Sequence, residues 1–456
     1  MSRHHKVFFA AAALGAAAIG FLGACTSPQP SPWAPPKPID PMGERSAGSP
    51  ASDRDPDGSH SPAESSRPES GSRTQRVYFG IDHLEGNRFR ELKGKRIGLI
   101  TNQTSINRNR VPTRKVLQDA PQIDLVALFV PEHGIDGKEQ ASRFIPTRKD
   151  PLTGLTAYSL YGPTRKPTKE MLDGLDVLAF DLQDIGSRSY TYLSTMILAM
   201  GACGEHGVEF AVFDRPNPLG GERVCGPPME KDWISFVGQF PAPYCHGMTA
   251  GELAMMANAE GWTTHPCDIS IIRMRNWRRN MTWDDTGLPW VATSPNIPRS
   301  DSPLYYASTG IFGSLTGGDI GIGTRKPFEI VGAPGIDADE LTRYLNGFGM
   351  PGIKFTPYRS LLRPGYAGSQ LHLDPQAPID IAGLNLIFID VISRRVEGDM
   401  FHYTSASGMN LFHKVYGSNS LRDDLASGKT PAQIIVSWKA AHERFRNQRK
   451  PYLLYR

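Results

Sequence analysis

The sequence predicts an α/β protein in which a domain built on a parallel sheet precedes a smaller α+β domain. Three observations support this prediction. The chain has 456 residues, more than one ordinary core requires. From residue 77 to about 270, short apolar runs alternate with helix-like segments, the spacing typical of parallel sheets with covered faces. Beyond that point the pattern changes, and residues 316–335 are rich in glycine.

The individual elements follow from the apolar runs in chain order. Thr249 and Glu252 form a capping-box pattern that opens a helix ending near Gly261. Strands are predicted at 96–101, 123–130, 156–161, 176–180 and 209–213, and helices at 111–120, 168–175 and 189–205. In the second domain we predict helices at 337–345 and 431–441 and a strand at 384–391.

The N-terminus predicts export. Basic residues between Arg3 and Lys6 precede an apolar, alanine-rich run, which is typical of a secretory signal peptide at residues 1–24. The run ends in LGAC, which resembles the bacterial lipobox, so Cys25 is the predicted lipidation site. An ordinary cleavage site followed by a chance cysteine is the alternative. Thr26 stands where many diderm lipoproteins carry the aspartate of inner-membrane retention, which favours the periplasm-facing outer membrane.

Residues 25–76 predict a disordered tether between the lipidated cysteine and the folded part. The segment is rich in Pro and Ser and has few large apolar residues, so it cannot bury enough surface to offset its ordering entropy. The four later cysteines leave two alternatives open, one or two disulfides or four free thiols: Cys203, Cys225, Cys245 and Cys267.

Charge and missing motifs exclude several function classes. The net charge is +4 and there is no long Lys/Arg block, so no nucleic-acid partner is predicted. The chain has no CxxC pair, P-loop, HExxH or GxSxG, which argues against a cysteine zinc site, a nucleotide hydrolase, a zinc protease and a serine hydrolase. No metal and no organic cofactor is predicted.

Polar side chains follow four of the predicted strands. They are Asn102, Glu132 with His133, the segment Asp181 to Asp184, and Asp214 with Arg215. Because the carboxyl ends of parallel strands lie at one edge of a sheet, these groups are expected to converge in one cleft. Gly134 and Gly137 would allow the backbone to bend close to a ligand there. The alternative is that the acids only cap helices.

The strand-end carboxylates suggest the hydrolysis of a sugar. Glycosidic cleavage needs a proton donated to the leaving oxygen and stabilisation of charge at the anomeric carbon. A glutamate near apolar walls can hold that proton near neutral pH. Glu132, Asp181, Asp184 and Asp214 are the candidates for this chemistry.

Neighbouring residues suggest how a substrate would bind. Arg188 and Arg215 carry the charge needed to bind a substrate carboxylate, and Tyr190 and Tyr192 have rings suited to a sugar face. His246, just before the capping box, is either a ligand-facing residue or a packed loop residue.

A resemblance to a known family adds to this interpretation. Ordered stretches between about residues 79 and 300 resemble the signatures of the NamZ-type exo-β-N-acetylmuramidases, glycoside hydrolase family 171: FGIDHL, GKRIGLITNQT, ALFVPEHGIDG, YSLYGPTRKPT, LDVLAFDLQDIGSRSYTYLSTM, FDRPNPLGG, HGMTAGELA and SPNIP. The resemblance implies a Rossmann-like catalytic domain, taken here as 77–270, and a smaller α+β domain at 271–456 that closes the cleft.

The resemblance also implies a reaction. Family members remove terminal, β-1,4-linked N-acetylmuramic acid from the non-reducing ends of peptidoglycan fragments, and the glutamate of PEHG, here Glu132, is their proposed catalytic residue. Because a 2-acetamido sugar can supply its own nucleophile, our hypothesis gives Glu132 the acid/base role and lets Asp184 polarise the acetamide. His133 would orient Glu132 or contact the sugar, and a purely structural role is the alternative. Asn217, within FDRPNPLGG, joins the expected substrate-binding set. A nucleophile supplied by the enzyme is the competing mechanism.

One loop departs from the family pattern. Members commonly carry a stretch like EGTNVSEGRGTTRPFE, whereas residues 314–329 read SLTGGDIGIGTRKPFE. Arg325 and Glu329 are the candidate substrate-binding residues of this loop. The change suggests another sugar, a longer fragment, or a non-catalytic, lipid-anchored binding protein for muropeptides. An esterase or amidase is a third alternative, but it lacks a recognisable nucleophile or metal set.

Overall fold

A computed structural model of the chain describes residues 76–140 and 143–456. The predicted signal peptide, Cys25 and the tether up to residue 75 lie outside the described residues. Across the described ranges, none of the helices has the length and apolar character needed to cross a membrane.

A seven-stranded sheet forms the first domain. Its strands are β1 (Arg96–Thr101), β2 (Asp124–Val130), β3 (Arg148–Lys149), β4 (Thr156–Ser159), β5 (Val177–Asp181), β6 (Glu209–Phe213) and β7 (Ile269–Ile272). They lie in the order β3-β4-β2-β1-β5-β6-β7, and neighbours are parallel except β3 and β4. Without the short β3, this is the strand order of a Rossmann-like sheet, so the predicted fold class is confirmed.

Helices cover both faces of this sheet. They are α1 (Gly80–Gly86), α2 (Thr113–Asp119), α3 (Lys169–Leu172), α4 (Thr191–His206) and α5 (Ala250–Ala259). Alternation along β1 sends Leu99 into the core beneath α1 and α2 and Ile100 into the core beneath α4 and α5. Thr249 and Glu252 make the predicted capping box of α5. The carboxyl ends of β2, β1, β5 and β6 therefore share one edge.

The first domain extends beyond residue 270, where the sequence placed its end. Strand β7 continues to Ile272, and Met274, Trp277, Met281 and Trp283 pack in the same core as α1 and α2. Helix α6 (Trp283–Thr286) belongs to this covering segment. The open face of the sheet needs apolar cover, and the chain supplies it before it enters the second domain.

The second domain contains a three-stranded antiparallel sheet of β8 (Ile330–Pro334), β9 (Ile353–Arg359) and β10 (Tyr366–Leu373), with β10 in the middle. Its helices are α7 (Ser302–Thr309), α8 (Ala338–Asn346), α9 (Leu384–Ser393), α10 (Asp399–His402), α11 (Ala406–Tyr416), α12 (Leu421–Ala426), α13 (Pro431–Ser437) and α14 (Lys439–Arg449). This confirms the smaller α+β unit.

Two predictions for the second domain were wrong. The run 384–391 is helix α9 rather than a strand, because burial on all sides removes the periodicity that separates the two. The helix predicted at 431–441 is divided at Trp438 into α13 and α14. The four later cysteines are free thiols, which is the second of the two alternatives.

Candidate active site

The PEHG stretch forms a tight turn directly after β2. His133, Gly134 and Gly137 all have positive φ, of 72°, 71° and 67°. For His133 this left-handed conformation is strained, and such strain concentrates at functional sites. The ring Nδ1 of His133 lies 2.7 Å from the carbonyl oxygen of Glu139, which holds the imidazole against its own loop. This contact supports the role of His133 in shaping the turn beside Glu132.

Glu132 lies in this turn, and its side chain is largely buried, with 8% exposed. The hydroxyl of Thr191 donates to Glu132 Oε2 at 2.8 Å. Thr191 is the first residue of α4, so the loop after β5 and the helix it starts fix the carboxyl group. Sequence analysis missed Thr191, although it lies within the quoted SRSYTY stretch.

Asp184 approaches the same region from the loop after β5. Its Oδ2 accepts a hydrogen bond from the Gly186 amide at 2.6 Å. Its Oδ1 is buried and has no hydrogen-bond partner among residues 76–140 and 143–456. Burial raises the pKa of Asp184 to about 7, against the smaller lowering effect of the Gly186 and Ile185 amides. The group therefore changes protonation near neutral pH.

Tyr306, which sequence analysis also missed, lies within the electrostatic reach of both carboxyl groups. Burial raises the pKa of its phenol to about 12, and the charges of both Glu132 and Asp184 act on it. The hydroxyl lies 2.9 Å from Ser189 Oγ, which donates to the Tyr244 hydroxyl at 2.8 Å. Tyr306 sits on α7, so the second domain completes the site. Nothing in its local sequence, SPLYYASTG, distinguishes it from a packing residue.

The hydroxyl groups of the predicted tyrosine pair, Tyr190 and Tyr192, are both hydrogen-bonded within the protein. The Tyr192 ring is fully buried, and its hydroxyl accepts from Asn102 Nδ2 at 2.9 Å and donates to the Thr293 carbonyl at 2.7 Å. Tyr190 donates to Thr293 Oγ1 at 2.8 Å and packs edge-on against Tyr306 at 6.0 Å between ring centroids. Asn102 and Tyr192 are thus removed from direct sugar contact, while Tyr190 remains at the wall.

The divergent loop reaches the site through Phe328. Its φ is 68°, and its ring lies 4.9 Å from the Tyr306 ring. Glu329 instead accepts from Arg299 Nη2 at 2.6 Å and from Gln370 Nε2 at 3.0 Å, so its carboxylate is engaged within the domain. Arg325 is exposed on the loop.

The charged residues near β6 do not join this site. Arg215 forms a buried, two-point ion pair with Asp181 and also donates to the Ile106 carbonyl. Asp214 accepts from the Thr249 hydroxyl, the Gly251 amide and the Tyr455 hydroxyl at 2.7, 2.9 and 2.6 Å. Burial raises the pKa of Asp214 to about 6. These internal contacts argue against the substrate roles that the sequence suggested for Asp214 and Arg215.

Arg188 is likewise paired internally. Its side chain is fully buried, and its guanidinium donates to four backbone carbonyls, those of Pro227, Ala242, Val415 and Tyr416. The last two belong to α11, so Arg188 joins the domains rather than meeting a substrate carboxylate. Two further candidates also have internal partners: His246 Nδ1 accepts from the Met248 amide, and Asn217 donates to the Met248 carbonyl. His246 Nε2 is buried and has no partner in the described structure.

Nothing in the described part of the chain suggests a metal site, because no three His, Cys, Asp or Glu side chains there converge on one point. A cavity of about 660 Å³ lies elsewhere, between residues that include Arg223, Trp283, Asp380 and Lys439. Glu132 and Asp184 do not line it, so this cavity is separate from the site described above.

Comparison with known proteins agrees with this architecture. Residues 97–301 match the family model described as exo-β-N-acetylmuramidase NamZ, N-terminal, and residues 304–455 match the corresponding C-terminal model. Two crystal structures of DUF1343 family proteins from Bacteroides fragilis NCTC 9343 are similar. One has a TM-score of 0.77 at 37% identity, covering 84% of this chain and 99% of its own. The other has a TM-score of 0.66 at 30% identity, covering 83% and 99%.

A curated relative is similar along nearly its whole length. The peptidoglycan β-N-acetylmuramidase NamZ of Bacillus subtilis strain 168 is 40% identical over 404 residues, which is 86% of this chain and 95% of that protein. The boundary between the two family models, at 301–304, also agrees with a first domain that extends past β7. The chain therefore belongs to the NamZ family of exo-β-N-acetylmuramidases.

Proposed function

We propose that the protein is an exo-acting glycosidase that releases terminal, non-reducing, β-1,4-linked N-acetylmuramic acid from peptidoglycan fragments during cell-wall turnover. The observation that carries the proposal is the placement of Glu132 and Asp184 after β2 and β5, at the carboxyl edge of the sheet, where the Thr191 hydroxyl binds Glu132 and both charges act on Tyr306. The B. subtilis relative, whose name describes this activity on peptidoglycan, supports the choice of substrate.

Glu132 is the acid/base group in this mechanism. Its side chain is largely shielded from water, and the Thr191 hydroxyl fixes one carboxyl oxygen, leaving the group oriented for proton transfer to the leaving oxygen. After the leaving sugar departs, the same carboxylate takes a proton from the incoming water. General acid–base catalysis of this kind contributes roughly 10²- to 10⁴-fold to the rate.

Asp184 is the partner for the acetamido group. Its unpartnered Oδ1 provides an acceptor for the acetamide N–H, which increases the electron density on the acetamide oxygen as that oxygen attacks the anomeric carbon. Its pKa of about 7 means that ionisation, which this role requires, is reached around neutral pH. The charges of both carboxyl groups act on the Tyr306 phenol, whose hydroxyl also contacts Ser189, so we expect Tyr306 to contact the bound sugar.

A direct enzyme nucleophile is the competing mechanism, and inhibitors separate the two. A thiazoline analogue of the muramic acid oxazoline should inhibit strongly if the acetamide is the nucleophile. A 2-fluoro muramic acid derivative, which lacks the acetamide, should instead accumulate as a covalent adduct on a carboxylate if the enzyme supplies the nucleophile.

The non-catalytic alternative receives no support from the site, since Glu132, Asp184 and the hydrogen bonds that hold them are all present.

The test of the proposed function uses the full chain in detergent with para-nitrophenyl β-N-acetylmuramide and the matching N-acetylglucosaminide. We expect release from the muramide by the wild type and loss of release in Glu132→Gln. The exposed neighbour Glu139→Gln is the matched control and should remain active. Absence of release by the wild type from both this substrate and isolated glycan fragments would refute the proposed function.

Attachment through Cys25 is a separate part of the proposal and rests on the lipobox-like LGAC stretch. The anchored protein would face the periplasm from the outer membrane of a diderm bacterium. Cys25→Ser should abolish incorporation of labelled fatty acid and move the protein from the membrane fraction to the soluble fraction. Labelling that persists in this variant would rule out lipidation at Cys25.

A further inference from the structure

Because Arg188 and Arg215 are engaged by internal partners, the carboxylate of muramic acid needs another partner. N-acetylmuramic acid differs from N-acetylglucosamine only by a lactyl ether that ends in a carboxylate. An enzyme that selects the first sugar therefore needs a cation or strong hydrogen-bond donors beside the bound ring. The following inference rests on the proposed function and names the residue that provides this selection.

The loop after β4 lies directly beside the turn that carries Glu132. Val130 of β2 pairs with Ser159 of β4, and the Leu160 amide donates to the Val130 carbonyl at 2.9 Å. Glu132 and Tyr161 each come two residues after this pair. Because neighbouring strands are about 4.8 Å apart, the two loops start side by side. The Ile145 amide donates to the Tyr161 carbonyl at 3.0 Å, which ties the loops together again.

Arg165 stands in this neighbouring loop on an aromatic support. Its guanidinium carbon lies 4.1 Å from the centre of the Phe236 ring and 5.1 Å from that of Tyr161. The two rings are 5.8 Å apart, so they hold the guanidinium by its faces. A guanidinium held in this way keeps its N–H donors, which lie in its plane, available at the edge.

The charge of Arg165 is not neutralised within the described ranges 76–140 and 143–456, where it has neither an ion pair nor a hydrogen bond. Three other cations are paired: Arg148 with Asp136, Arg299 with Glu329, and the adjacent Lys166 with Glu205 near the carboxyl end of α4. Arg325 is exposed as well, but no aromatic ring packs against its charge in the described structure. Arg165 thus combines a fixed position with donors that are open to a ligand.

We propose that Arg165 binds the lactyl carboxylate of the terminal N-acetylmuramic acid and thereby selects this sugar over N-acetylglucosamine. A two-point contact between guanidinium and carboxylate fits the planar geometry of both groups. The residue acts on recognition rather than on proton transfer, because Glu132 and Asp184 already occupy the catalytic positions.

The test measures sugar binding directly, so it does not depend on turnover. Full-length Glu132→Gln and the double variant Glu132→Gln/Arg165→Gln are titrated at low ionic strength with N-acetylmuramic acid, its methyl ester and N-acetylglucosamine. Loss of Arg165 should weaken binding of the free acid by roughly 10- to 100-fold, the range for a charge-assisted contact. Binding of the ester and of N-acetylglucosamine should not change.

Two further variants make the result specific. Lys166→Gln, in the Glu132→Gln background, removes an adjacent charge that is already paired and should leave all three affinities unchanged. Arg325→Gln tests the competing arginine of the divergent loop. Equal weakening of all sugars by Arg165→Gln, a selective loss in the Arg325 variant alone, or no measurable sugar binding by Glu132→Gln would overturn the inference.

The inference and the proposed function fail in different ways. If the wild type releases muramic acid while Arg165→Gln keeps its preference for the free acid, only the role of Arg165 is lost. If the wild type releases nothing but Arg165→Gln still lowers muramic acid affinity selectively, only the catalytic proposal is lost.

Discussion

Two acidic side chains, Asp214 and Asp184, lie at the same edge of the parallel sheet but differ in how many hydrogen bonds they receive. After β6, Asp214 receives three hydrogen bonds from Thr249, Gly251 and Tyr455. After β5, one carboxylate oxygen of Asp184 accepts from the Gly186 amide, and its second oxygen has no partner in the described structure. Both groups are buried, and burial raises the pKa of each.

The difference lies in what the rest of the chain brings to each end. The C-terminal segment returns over β6, where the Tyr455 hydroxyl reaches Asp214 and the Leu454 amide reaches Glu252. Over β2 and β5 the second domain instead brings Tyr306, whose ring forms part of a wall. A charged residue after a strand therefore becomes a site only where the chain leaves it open to a ligand. Four predictions, in order of decreasing effect, test this contrast.

The largest effect is expected for Glu132→Gln. Loss of the acid/base group should lower kcat by roughly 10³-fold, about 4 kcal/mol of transition-state stabilisation, while Tm changes little. Chromogenic muramide release and thermal unfolding, measured on the same preparation, check both statements. A large fall in Tm would place Glu132 in the structural group with Asp214.

Arg215→Met should show the reverse pattern. Removing one partner of the buried Arg215–Asp181 pair leaves an uncompensated carboxylate and should destabilise the fold by about 3–5 kcal/mol. Urea unfolding gives this value, with the exposed Arg422→Met as the control. Unchanged stability with lost muramic acid binding would restore the substrate role that the sequence suggested for Arg215.

Asp184→Asn should change how stability depends on pH. The folded state holds the proton of Asp184 more tightly than the unfolded chain, whose pKa is near 3.8, so this stabilisation is fully present below that value. It is lost as the pH rises through about 7. The free energy of unfolding of the variant, taken relative to that of the wild type, should therefore be roughly 2–4 kcal/mol higher at pH 8 than at pH 4.

Urea midpoints at pH 4, 6 and 8 measure this effect, with the exposed Asp423→Asn as the control. Equal pH profiles for wild type and Asp184→Asn would mean that Asp184 is ionised without cost in the folded protein. Asp184 would then not share with Asp214 a pKa that is raised by burial.

The smallest effect is expected for Tyr306→Phe. Loss of one hydroxyl, which contacts Ser189 and lies near both carboxyl groups, should lower kcat/KM by roughly 3- to 10-fold, as expected for one hydrogen bond. Steady-state kinetics on the chromogenic muramide provide the measurement, and the exposed Tyr403→Phe serves as the control. An unchanged kcat/KM would reduce Tyr306 to a packing residue.

Local sequence predicted much of the first domain. Strands β1 and β6 have the predicted bounds, and β2 differs by one residue, because each combines an apolar run with a clear end. The polar residues at these ends correctly located the edge that holds Glu132 and Asp184. The second domain was less predictable. Helix α9 is buried on all sides, so its sequence lacks the spacing of polar residues that distinguishes a helix from a strand.

The sequence by itself determined the parallel-sheet class and placed the PEHG stretch and the candidate acids at strand ends, because these depend on local patterning and on the common direction of parallel strands. Only the tertiary structure decided which of those acids stay available. Arg188, Arg215 and Asp214 find partners far along the chain, at residues 415–416, 181 and 455, and no local pattern encodes such pairing. The neighbours of Tyr306 and Arg165 likewise depend on how loops and domains pack, so local sequence did not predict them.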